Sequence, residues 1–192
     1  MDLFSKYIHN TLNTELAKEL YPVCKEILND TKEDKRYLFG KTTFWQQDIM
    51  KKHMYKFNNF FKYINEEALK FIDFLEIDVK NPTIHINDFW VSEMYKGGSH
   101  SLHIHSPKNH ISGNFYIYAE PNSSHISFTR GIYEEVWHNF DRKKYTKYNS
   151  QEWSFPPEQG RLLMWESDLM HRVETNQSNS RIALTFNLEV IK

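Results

Sequence analysis

Residues 181–190 read RIALTFNLEV, and the alternation in this stretch decides the fold. In an extended chain Ile182, Leu184, Phe186, Leu188 and Val190 share one face, while Arg181, Ala183, Thr185, Asn187 and Glu189 share the other. Branched and aromatic side chains at every second position favour a pleated strand. One face suits a core. The other carries a cation among polar groups, which suits the wall of a cavity. This pattern points to a β-sandwich or barrel with a ligand site inside it.

The same period runs upstream as far as Pro82. TIHINDFWVSEMY (83–95) alternates and stops at KGGS; SGNFYIYAE (112–120), SSHISFTRG (123–131) and GRLLMWES (160–167) read as further strands bounded by turn residues. Before Pro82 the period is helical. NTLNTELAKELYPVCKEILND (10–30) spaces Leu12, Leu16, Leu20, Val23 and Ile27 three to four apart, with Pro22 expected to kink or interrupt the helix. A second helix is expected from Ile49 to Glu76, with Phe57, Phe60, Phe61, Ile64, Leu69, Ile72 and Leu75 near one face. This stripe reads as a helix packed on a sheet and not as a cofactor box. YLFGKTTFWQQD (37–48) between the helices is a loop whose aromatics serve packing or substrate contact. The chain therefore reads as one domain, 1–192: supporting helices over 1–79, a β core over 80–192, and within it a long aromatic connection, 130–160, that is a candidate lid.

Three histidines converge on the cavity-forming part. His103 and His105 flank one residue in HIHSPKNH, and side chains at i and i+2 of an extended segment point the same way. His171, far downstream, supplies a third imidazole. Three facial ligands leave other positions of a metal open, as in non-haem iron sites. Arg181, a short way beyond, suits a bidentate grip on a small carboxylate. There are ten histidines in the chain, so a His-x-His pair alone is weak. His100 and His110 compete for the role, while His85, His125 and His138 read as structural or surface groups. Trp165 and Trp90 read as packing residues.

Composition narrows the classes. The chain has 192 residues, enough for one well-buried core, and a formal net charge of −1, which gives no electrostatic case for nucleic acid or an anionic membrane. DRKKYTKY (141–148) is basic and aromatic, but reads better as a solvated lid than as a nucleic-acid contact. The one cysteine, Cys24, excludes an intrachain disulfide and a thiolate zinc cluster. MDLFSKYIHN lacks a signal peptide's apolar core, and no run approaches the roughly 20 apolar residues of a spanning helix. The expected location is cytoplasmic, or the host cytoplasm for a phage-encoded chain.

FWVSEMYKGG (89–98), HIHSPKNHISGNFYIY (103–118), PPEQGRLLMWESDLMHRVETN (156–176) and SRIALTFN (180–187) together resemble the 2-oxoglutarate/Fe(II)-dependent dioxygenases of bacteria and phages, distant relatives of prolyl hydroxylases. The resemblance implies a mainly β fold with N-terminal helices, the double-stranded β-helix or cupin-like jelly roll. It implies that His103, His105 and His171 hold Fe(II), with His105 standing where the wider superfamily has Asp or Glu. It implies that Arg181 holds the distal carboxylate of the cosubstrate 2-oxoglutarate. Ala183 stands where the superfamily often has Ser or Thr, leaving Thr185, Tyr116 or Asn114 to supply that contact. The implied reaction consumes 2-oxoglutarate and O2, releases succinate and CO2, and hydroxylates a substrate that is a peptide, an amino acid, a nucleobase or a small metabolite. Two other readings compete: a three-histidine cupin-like metalloenzyme without 2-oxoglutarate, for which Arg181 has no use, and a non-catalytic jelly-roll binding or structural protein, for which the histidines need not converge.

Overall fold

In the computed structural model, which describes residues 6–105, 107–129 and 141–192, strand β1 (Ile8–Leu12) leads into helix α1 (Thr14–Asp30). Strand β2 (Gly40–Thr42), helix α2 (Gln47–His53), a 3-10 turn (Met54–Phe57) and helix α3 (Asn58–Phe74) follow. The rest is strand: β3 (Thr83–Met94), β4 (His100–His103), β5 (Ile111–Ala119), β6 (Ile126–Thr129), β7 (Glu152–Phe155), β8 (Arg161–Glu166), β9 (His171–Val173) and β10 (Arg181–Ile191). Of the 130–160 connection, 130–140 and with it Tyr133, Trp137, His138 and Phe140 lie outside the described residues.

The strands form two antiparallel sheets, ordered β1-β8-β5-β10-β3-β2 and β4-β9-β6-β7. β10 is a central strand, and its two faces serve two cores. Ile182, Leu184, Phe186 and Leu188 are fully buried against α1 and α3, beside Leu20, Ile27, Phe60 and Ile64. Each such side chain contributes about 1.5–3 kcal/mol on burial. The opposite face turns Ala183 toward Tyr116, Leu163, Trp165, Phe128 and Val173 between the sheets. This inter-sheet space is the jelly-roll interior.

α1 starts at Asn13, whose side chain accepts the Leu16 N–H, and ends at Thr31, whose hydroxyl donates to the Ile27 carbonyl. Of the two outcomes expected at Pro22, interruption does not occur: the helix runs through it. Pro22 and Lys18, whose carbonyl loses its N–H partner, both lie on the solvent face, where water can replace the missing bond. Leu12 belongs to β1 and is exposed, since the helix begins only after its Asn13 cap. The helix expected over 49–76 is divided by the 3-10 turn, which seats Phe57 in the core before α3 begins. Leu69 is exposed because the buried stripe of α3 runs through Phe60, Ile64, Glu67, Ala68, Phe71 and Ile72. No helix among the described residues is long and apolar enough to cross a membrane.

Candidate metal centre

His103 closes β4 and His171 opens β9, and the two are register partners across that pair. His105 lies two residues beyond His103, past the end of the strand, where its backbone N–H donates to the Ser167 carbonyl at 2.9 Å. The two rings stack at an interplanar angle of 16°, on the same side of the chain as the i, i+2 spacing leads one to expect. Ring centroids stand 4.3 Å apart for His103 and His171, 5.0 Å for His105 and His171, and 5.3 Å for His103 and His105. One ring nitrogen from each lies within 4.8 Å of the other two, so small rotations bring all three to one ion.

Their hydrogen bonds orient them. His103 Nδ1 donates to the Ser101 carbonyl at 2.7 Å and His171 Nδ1 to the Leu169 carbonyl at 2.8 Å. A carbonyl only accepts, so Nδ1 carries a proton and, in the neutral ring, Nε2 keeps the free lone pair. His105 Nδ1 faces the Asn187 amide oxygen, with Ser112 Oγ at 3.0 Å. Burial pushes the His171 imidazolium down to about 3, aided by repulsion from its histidine neighbours, and also lowers His105. Both rings are neutral at pH 7, so a metal displaces no proton from them. Neutral, convergent imidazoles fit a divalent transition metal.

Arg181 is buried on the inner face of β10. Its Nη2 donates to Tyr116 Oη at 3.2 Å, its Nε to the Ser124 carbonyl at 3.1 Å, and its guanidinium lies over the Tyr116 ring. No acidic side chain pairs with it among the described residues. A buried guanidinium without a counter-charge fits an incoming carboxylate. Of the three candidates for the companion contact, Tyr116 reaches Arg181, whereas Thr185 Oγ1 and Asn114 Oδ1 bond each other at 2.7 Å.

Alternation does not reach Tyr37, which lies in the 37–48 loop, and leaves His100 and His110 as competing candidates. Tyr37 and His100 meet edge to face at 5.4 Å, and His100 is lowered to about 4 by burial and then by the Arg181 charge. Burial pushes the Tyr37 phenol up to about 12. His110 is not a ligand: its Nδ1 accepts the Val190 N–H. Glu93 faces Lys25 and Ser180, away from the histidines. Trp165 is 4.9 Å from His171, and its buried indole N–H lacks a partner among the described residues.

The model of the 2OG-Fe(II) oxygenase family matches residues 88–187, a span that includes His103, His105, His171 and Arg181. No curated protein matches the chain. Among solved structures the chain is similar to a Pseudomonas putida prolyl-4-hydroxylase, with 11% identity over 96% of this chain and 93% of that one and a TM-score of 0.63. It is similar to HygX from Streptomyces hygroscopicus, solved with nickel and 2-oxoglutarate, with 10% identity over 96% and 83% and a TM-score of 0.60. It is also similar to the viral collagen prolyl hydroxylase of Paramecium Bursaria Chlorella virus-1, solved as a 2-oxoglutarate complex, with 12% identity over 97% of each chain and a TM-score of 0.53. At these identities the likeness is one of fold, the oxygenase jelly roll with its helices on the outside. The family match covers more than half of the chain, and on it the chain belongs to the 2OG-Fe(II) oxygenase family, enzymes that use Fe(II), 2-oxoglutarate and O2.

Proposed function

We propose that this enzyme hydroxylates an organic substrate, with His103, His105 and His171 as metal ligands and Arg181 as the clamp on the distal carboxylate of 2-oxoglutarate. Iron(II) and 2-oxoglutarate, when bound, supply the oxidation: the cosubstrate leaves as succinate and CO2 while one atom of O2 enters a substrate C–H bond. The chain's own part is placement. Three convergent imidazoles, of which burial keeps His105 and His171 neutral, offer oriented lone pairs. Arg181 and the Tyr116 hydroxyl receive the carboxylate, and Phe128, Leu163, Trp165 and Val173 keep water from the cavity walls.

The observation that carries this reading is the convergence of the three rings inside the family-matched span. A three-histidine enzyme without 2-oxoglutarate would leave Arg181 buried and uncompensated, which disfavours it. Among the structural neighbours, HygX was solved with hygromycin B bound and a Trichoplax adhaerens prolyl hydroxylase with a hypoxia inducible factor peptide fragment. Substrate class is therefore to be found by screening peptides, amino acids, nucleobases and small metabolites for accelerated succinate formation. We further propose that 1–192 acts as one oxygenase domain in the cytoplasm, where the lone buried Cys24 stays a thiol. Purified protein given Fe(II), ascorbate and 2-oxoglutarate is expected to form succinate with consumption of O2, and a His103→Ala variant is expected not to. Equal turnover by both would remove the histidines from the reaction.

A further inference from the structure

The three imidazoles give a metal no anionic donor, and among the described residues no carboxylate joins their cluster. A carboxylate does reach the site indirectly. Asp88 and Asn187 are register partners on β3 and β10, and Asn187 Nδ2 donates to Asp88 Oδ2 at 3.0 Å. A carboxylate can only accept, so this bond decides which end of the amide is which. The Asn187 oxygen must then face the other way, toward His105 Nδ1 at 2.5 Å, where it also accepts from Ser112 Oγ at 2.8 Å. An amide oxygen can only accept as well. The proton of His105 is therefore on Nδ1, and Nε2 is left for the metal.

This dependence is peculiar to His105. His103 and His171 are set by backbone carbonyls, which cannot turn round. His105 is set by an amide that can. With its ends exchanged, Asn187 would present N–H to Nδ1, and the ring would carry its proton on Nε2, the nitrogen needed for the metal. Asp88 itself is exposed, so solvent screens its charge and its effect lies in orientation.

We propose that Asp88 is a positioning residue for the metal: by fixing the direction of the Asn187 amide it holds His105 in its metal-binding tautomer. This rests on the reading of the three histidines as ligands. Long-range proton–nitrogen NMR of histidine-labelled, metal-free protein reads the tautomer directly, and visible-absorption titration with Co(II) under nitrogen reads affinity. Wild type is expected to show His105 in one Nδ1–H form. Asp88→Ala is expected to mix in the Nε2–H form and to weaken Co(II) binding about 10-fold, the low end of what outer partners of metal-bound histidines contribute. Adding Asn187→Asp to Asp88→Ala is expected to restore both, because a carboxylate at 187 accepts whichever way it turns. His103 and His171, unchanged in the same spectra, report an intact fold. An Asp88→Ala protein with wild-type tautomer and affinity overturns the proposal, as does a double variant that restores neither. A wild type that fails to bind Co(II) sinks the metal reading itself, while the tautomer comparison still decides whether Asp88 orients His105.

Discussion

His103 and His171 face each other across the β4–β9 pair with their ring centroids 4.3 Å apart, although a long stretch of sequence separates them. Antiparallel pairing is what brings them together, and the backbone carbonyls of Ser101 and Leu169 turn each ring the same way. Replacing His103, the more exposed of the two, removes a proposed ligand with little loss of packing. His103→Ala is expected to weaken Fe(II) binding by more than about 100-fold, beyond the 10- to 100-fold typical of outer partners. Anaerobic titration measures it, and wild-type affinity in the variant would exclude His103 from the centre.

Arg181 has a phenol and a carbonyl as partners but no acid among the described residues. Arg181→Ala is expected to cost about 2–5 kcal/mol of 2-oxoglutarate binding, the usual penalty for cutting one member of a buried charged pair. Tyr116→Phe is expected to cost about 1.5–3 kcal/mol, one hydrogen bond to a charged group. Arg181→Lys should restore only part, because a point charge cannot offer the guanidinium fork. Calorimetry on metal-loaded protein under nitrogen tests the series. Unchanged affinity in the alanine variant would remove the arginine from this role.

Much of this centre was legible in the sequence because it depends on period. Strict alternation over 181–190 separated Ile182, Leu184, Phe186 and Leu188 from Arg181, Thr185 and Asn187, and the structure keeps those two faces apart. Strands of three to five residues, such as β2, β4, β7 and β9, are too short to show a period, so the sheet carrying two of the histidines had little signal beyond its ligands. Asn187 lay on the correct face by parity, but its partner Asp88 comes from another strand, and a cross-strand pair leaves no mark in one sequence. The loop bond from His105 N–H to the Ser167 carbonyl likewise joins distant residues and has no periodic signature.

The buried histidines make the metal-free protein acid-sensitive. In the folded chain burial holds His171 at about 3 and His100 at about 4, both below their ordinary 6.5. An unfolded chain takes up those protons near pH 6.5. Between that value and 3–4 it binds more protons than the folded chain, so stability falls as pH is lowered through this window and is complete above about pH 7. Each histidine contributes up to about 1.4 kcal/mol per pH unit there. Urea midpoints of metal-free protein should drop between pH 7 and 4.5, and His100→Asn should flatten the drop. A midpoint independent of pH would contradict the burial of these rings.

Trp153 closes a row of register partners that runs across the four-stranded sheet as His103, His171, Phe128 and Trp153. Its three row-mates are half-buried or buried, whereas Trp153 on the edge strand β7 is 41% exposed. A large, partly wet aromatic in line with the two histidines, on the last strand of their sheet among the described residues, suits a contact with substrate. Trp153→Ala is accordingly expected to leave Fe(II) and 2-oxoglutarate affinities unchanged and to raise the KM of the substrate found by screening by about 3- to 10-fold, the loss of one aromatic contact of about 0.5–1.5 kcal/mol. Succinate formed without substrate should stay at the wild-type rate, since the three histidines and Arg181 are untouched. A variant with wild-type KM, or one that loses metal binding along with turnover, would show that Trp153 only packs the edge of the sheet.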